Sequence, residues 1–202
     1  MPLDENDLQI IAGAIARGGK IWEDETLNPI KRKIKLHRLE STGRQCCYCR
    51  RDFTDEFFMV IDIEHVLPKE HFRDFMFQLF NLSVSCKRCN MRIKGQRTDF
   101  LVDPVLVAQH PEDSAQYLLS HPNIDNYFDN LDYHAVIINN KKSIKYVPRT
   151  DKGHYTYAFF RLDQMEIETL NEAQGINIAE TGLSDNIPPD IAVEANKLLA
   201  KL

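Results

Sequence analysis

The sequence predicts an α+β fold in which two short strands and a helix are clasped at one end by a metal, with helices ahead of them and a mixed α/β extension behind. Three observations point this way. Two Cys-x2-Cys pairs, Cys46/Cys49 and Cys86/Cys89, frame the middle of the chain. An apolar run ends on Glu64-His65, and a second short stretch, FNLSVSC, leads back to the second cysteine pair. Ahead of them, the segments before Gly18 and after Pro29 show helical periodicity rather than alternation.

Residues 1–45 are expected to form an N-terminal helical region. Asp7 to Arg17 places its apolar residues on about one face, starts acidic and is stopped by Gly18-Gly19. Pro29 opens a second helix, PIKRKIKLHRLESTGR, with Ile30, Ile34 and Leu39 as an inward stripe. Its Lys31, Lys33, Lys35 and Arg38 project elsewhere, either into solvent or onto phosphate.

Residues 46–100 are expected to hold the core. Phe57 to Ile63 predicts a strand entering Glu64-His65, a loop through Pro68 follows, and the chain returns through Asn81 into a second strand. The second cysteine pair then turns into a helix beginning near Asn90 and carrying Arg92, Lys94 and Arg97. Residues 101–202 form the extension. Pro104, Pro111 and Pro122 break up a connection, and YHAVIINNKKSIKYVP predicts a hairpin turning near Asn139-Asn140. FFRLDQMEIETLNEAQG predicts a helix ended by Gly175, SDNIPPD a linker, and PDIAVEANKLLAKL a terminal helix.

With 43% hydrophobic and 27% charged residues, the 202-residue chain has a globular rather than a disordered composition. No apolar run approaches the roughly 20 residues of a membrane span. The start, MPLDENDLQI, lacks the basic and apolar regions of a signal peptide, so a cytoplasmic location without membrane association is expected. The net charge of −5 conceals an asymmetry: −4 over residues 1–30, +7 over 31–97 and −8 over 98–202. Basic charge is thus confined to the segment with the motifs, which suits a polyanion. The acidic remainder is better suited to a partner protein.

Four of the five cysteines fall into two pairs without a secretory signal, a pattern that favours metal over disulfide. Cys46, Cys49, Cys86 and Cys89 are assigned to one structural Zn2+, with Cys47 left over. Glu64 and Asn90 supply oxygens suited to a second ion, Mg2+ or Mn2+, and Asp62 on the same strand face as Glu64 is the second candidate. His65 points away from Glu64 and, with a reference pKa of about 6.5, can take the proton of an attacking water. Lys87, Arg88, Arg92, Arg50 and Arg51 form the expected phosphate-contact set. A non-catalytic, zinc-stabilised nucleic-acid-binding module with a structural acid-His pair is the alternative reading.

Glu64-His65, Asn81 and CKRCN followed by Lys94, framed by the two cysteine pairs, resemble the HNH endonucleases in a variant whose final His is Asn90. The resemblance covers about Cys46 to Lys94. It implies a ββα-metal fold, one catalytic divalent ion and hydrolysis of phosphodiester bonds, with DNA ahead of RNA as substrate. It further implies His65 as general base, Glu64 and Asn90 as metal ligands, Asn81 as the residue holding the base strand and Lys94 on phosphate. IEH-x2-PK and the later KGHYTYAFFRL are similar to stand-alone HNH proteins of Septu-type and retron-linked anti-phage systems, which implies antiviral defence with an ATPase partner.

Overall fold

The structure, a computed structural model, describes residues 3–139 and 141–168. The first helix, α1 (Glu5–Arg17), begins on a reciprocal cap in which Asp4 accepts the Asp7 N–H and Asp7 accepts the Asp4 N–H. Lys33 then bridges both carboxylates at 2.9 Å, tying α1 to the second helix. That helix, α2 (Asn28–Ser41), starts on Pro29 as expected and buries Ile30, Ile34 and Leu39. Ile11, Ala14, Leu27, Ile30, Ile34 and Leu82 close into one apolar cluster, so α1 and α2 cover the strand that contains Leu82.

Strands β1 (Ile61–His65) and β2 (Leu82–Cys86) pair antiparallel, with Ile61 opposite Cys86 and His65 opposite Leu82. The strand expected to begin at Phe57 begins at Ile61 instead. Phe58–Val60 form a 3-10 turn, and Phe57 and Met59 stand 78% and 77% exposed. An apolar run alone does not make a strand; only the stretch facing β2 has backbone partners.

After β2 the chain winds as a π-helix over Arg88–Lys94, in which the Gly95 N–H reaches back to the Asn90 carbonyl at 2.7 Å, five residues away. The expected helix near Asn90 is therefore present but starts earlier. It also ends before Arg97, because Gly95 takes φ +52°.

Two compact units divide the chain, Met1–Tyr133 with Tyr146–Gln164, and His134–Lys145 with Met165–Leu202. The first continues through α3 (Pro104–Gln109), α4 (Tyr127–Asn130) and α5 (Asp151–Phe159). In α5, Gly153 is required by close packing: a Cβ there would lie 2.0 Å from the Asn130 carbonyl oxygen. The expected hairpin is present as β3 (Leu131–Ile138) and β4 (Lys141–Pro148), with Asn139 at φ +56° in its turn. In the second unit, β5 (Ile167–Glu168) pairs with Ser143 and Ile144 of β4. Up to Glu168 the helix predicted from Phe159 is replaced by the end of α5, a 3-10 turn over Leu162–Met165 and β5, and the rest of that prediction, 169–175, lies outside the described residues. The linker 184–190 and the terminal helix lie outside the described residues.

Candidate metal centre and the adjoining cavity

Cys46 and Cys49 come from a tight loop after α2, Cys86 ends β2, and Cys89 sits in the π-helix. All four are buried, and their sulfurs lie within 4.8 Å of one another, with Cys49 and Cys86 3.8 Å apart. A tetrahedron with metal–sulfur bonds of about 2.3 Å has sulfur–sulfur edges of about 3.8 Å. The donor set therefore fits a closed, tetrahedral ion such as zinc. Backbone bonds hold the loop in place: Cys47 N–H donates to the Val84 carbonyl and Arg50 N–H to that of Cys46, both at 3.0 Å. The hydroxyls of Tyr146 and Tyr127 donate to the carbonyls of Cys49 and Tyr48 at 2.6 and 3.2 Å. Cys47 is buried beside the cluster but outside it, and burial, with the neighbouring Cys46 sulfur, pushes its thiol pKa well up.

Beside this centre opens a cavity of about 850 Å³. Asp62, His65 and Asn90 line it, and the Asn90 side-chain amide donates to Asp62 Oδ2 at 3.1 Å. His65 is 8% exposed, and its Nε2 lies 3.1 Å from the Met76 carbonyl. A carbonyl only accepts, so Nε2 carries the proton and Nδ1 is the basic atom of the ring. Trp22 packs edge-on against the imidazole at 4.4 Å. Burial, reinforced by the Lys69 charge, pulls the His65 pKa down to about 3, which keeps the ring neutral. Asn81, wholly buried, accepts the Leu67 N–H at 2.6 Å and donates to the carbonyls of Leu67 and Phe75, so it braces the loop that leaves β1.

Glu64 is placed elsewhere. It is fully buried and does not line the cavity. Its Oε1 meets Lys94 Nζ at 2.9 Å and the Tyr48 hydroxyl at 3.1 Å, and Oε2 accepts from Ser85 at 3.4 Å. Burial raises the Glu64 pKa while Lys94 pulls it back. Lys94, expected on phosphate, is 2% exposed and also donates to the His65 carbonyl at 2.7 Å. Asp62 is the carboxylate that the strand presents to the cavity.

The expected phosphate contacts scatter. Lys87 lines the cavity and pairs with Asp62 at 2.8 Å. Arg88 donates to the carbonyls of Phe160 and Arg161, Arg50 stacks over Tyr127 and Phe128, and Arg51 pairs with Glu56. Arg92 is exposed but outside the cavity. Trp22 belongs to no motif, and only the folded chain brings it to His65, while Lys69 stands in IEH-x2-PK without a role of its own there.

No helix among the described residues is long and apolar enough to cross a membrane. No family model matches the chain, and no solved structure does. Over 76 residues, 38% of its length, the chain is 34% identical to the Septu protein PtuB of Bacillus thuringiensis. Over 73 residues it is 38% identical to the protein ea31 of Escherichia phage lambda. These matches span 26% and 22% of the two relatives, so the chain corresponds to only a fraction of either.

Proposed function

We propose that this protein is a metal-dependent HNH-type endonuclease that hydrolyses phosphodiester bonds of nucleic acid, DNA ahead of RNA. The observation that carries the proposal is the placement of a neutral His65, with Nδ1 as its basic atom, in one cavity with Asp62 and Asn90. His65 Nδ1 accepts the proton of the attacking water, while the Nε2–H bond to the Met76 carbonyl fixes the tautomer through the step. The Asn90 amide nitrogen lies 3.1 Å from Asp62 Oδ2, so an ion held jointly by the Asp62 carboxylate and the Asn90 amide oxygen requires that amide to turn over; such a donor pair suits Mg2+ or Mn2+ with positions left open. Such an ion, when bound, stabilises charge on the phosphate and the leaving oxygen. Asp62 takes this role in place of Glu64, whose oxygens are occupied by Lys94, Tyr48 and Ser85.

Similarity to the Septu protein PtuB supports a role in anti-phage defence. The resemblance to stand-alone HNH proteins adds an ATPase partner, which the acidic segment 98–202 suits by charge. The test is cleavage of DNA and RNA by wild type and His65→Ala, with Mg2+ or Mn2+ and with EDTA. Wild type is expected to cut only with the ion, and His65→Ala to lose about 100-fold or more in rate, the scale of a missing general base. Undiminished ion-dependent cutting by His65→Ala would falsify the mechanism, and binding without any cutting would leave a zinc-stabilised binding module.

A further inference from the structure

We propose that the first turns of α2 form the phosphate-binding wall of the cavity, with Lys31, Arg32 and Lys35 gripping the backbone of a nucleic-acid strand beside His65. The three side chains line the same cavity as His65, Asp62 and Asn90. Their i, i+1, i+4 spacing places them on one side of the helix, while Ile30 and Ile34 bury the other.

What distinguishes these cations is that their charge is not neutralised. Lys94 is paired with Glu64, Lys87 with Asp62 and Lys69 with Glu70. Among the described residues none of Lys31, Arg32 and Lys35 is in an ion pair. Lys31 Nζ donates to the Trp22 carbonyl at 3.1 Å, and Lys35 Nζ to those of Phe58 and Ile61 at 3.0 and 2.7 Å. Carbonyls orient an ammonium without cancelling its charge. Burial also lowers the Lys35 pKa, a cost that an arriving anion relieves.

The geometry favours a strand over a single phosphate. From Lys31 to Lys35 the helix advances about 6 Å, at about 1.5 Å per residue. A nucleic-acid strand presents one charge about every 3.4 Å along its axis, so this wall meets successive phosphates. The unpaired cationic surface of the cavity therefore comes from the N-terminal helix rather than from the cysteine loops, whose Arg50 and Arg88 do not line it and whose Lys87 is paired with Asp62.

The inference uses the nuclease reading only to say which bond lies near His65; binding can be tested without cutting. Fluorescence anisotropy with labelled single-stranded DNA, duplex DNA and RNA, without added Mg2+ or Mn2+ and without chelator, over a series of salt concentrations, gives affinity and its salt slope. The wild-type zinc-loaded protein is compared with Lys31→Ala/Arg32→Ala and with Arg32→Ala alone, whose exposed side chain can be removed without disturbing the fold. Lys20→Ala, at an exposed lysine paired with Glu23, is the control. Each α2 side chain removed is expected to lower affinity and make the slope shallower by about 0.9 on duplex or about 0.7 on a single strand, with the control unchanged. A slope and affinity unaltered in both α2 variants, or no binding by wild type at low salt, overturns the proposal. Binding that depends on α2 without cleavage keeps this wall and sinks the nuclease reading; cleavage with an unaltered slope does the reverse.

Discussion

Lys94 sits where three acceptors converge: the Glu64 carboxylate, the His65 carbonyl and, at 3.4 Å, the Gly95 carbonyl. Removing its charge strands a buried carboxylate, so Lys94→Met is expected to cost about 3–5 kcal/mol in urea unfolding of the zinc-loaded protein. Adding Glu64→Gln in the same chain should recover part of that loss. Full recovery by Mg2+ in the single variant would instead return Glu64 to the ligand role that the family resemblance implies. The sequence placed Glu64, His65, Asn81 and Lys94 within one motif, and the fold does gather them. It could not show which were buried. Asn90 and Lys94 both reach the cavity wall, but Lys94 is 2% exposed and its ammonium is held by Glu64 and the His65 carbonyl.

At the scale of elements, the four-cysteine cluster joins three short pieces: a loop of few residues, the end of a five-residue strand and a single π-turn. Zinc bound there contributes folding energy directly. Cys86→Ser is therefore expected to lose zinc, and its thermal midpoint should fall together with its metal content when both are measured on one preparation. Cys47 will not substitute, since it lies outside the cluster. An unchanged midpoint in the zinc-free variant would contradict this. Elements with strong local signals were legible in the sequence: the Gly18 stop of α1, Pro29 at the start of α2, the Ile30/Ile34/Leu39 stripe and the Asn139 turn. Those set by tertiary partners were not. Phe57 to Val60 reads as strand yet has no facing chain, and the apolar residues after Phe159 read as helix although Ile167 pairs with Ile144.

For the whole molecule, acid sensitivity follows from two buried imidazoles. His121 is fully buried between Tyr117 and the loop holding Asp125, with Lys152 and Arg38 facing it, and burial takes its pKa to about 3, as it does for His65. A neutral ring in the folded state and an ordinary pKa of about 6.5 in the unfolded state stabilise the fold above about pH 6.5. That contribution is lost as pH falls toward 3, by up to about 1.4 kcal/mol per unit for each ring. Urea midpoints measured from pH 7 to 4 should therefore fall. His121→Asn, which keeps an acceptor for the Asn123 N–H, should show a shallower decline; equal slopes would refute the assignment. The reach of the later chain has another consequence. Tyr127 and Tyr146 cap the first cysteine loop, and the Phe160 and Arg161 carbonyls hold Arg88. A cassette cut at residue 100 would leave those carbonyls uncapped and that guanidinium without its acceptors. Grafting this centre onto another scaffold would therefore mean transplanting the chain through Arg161.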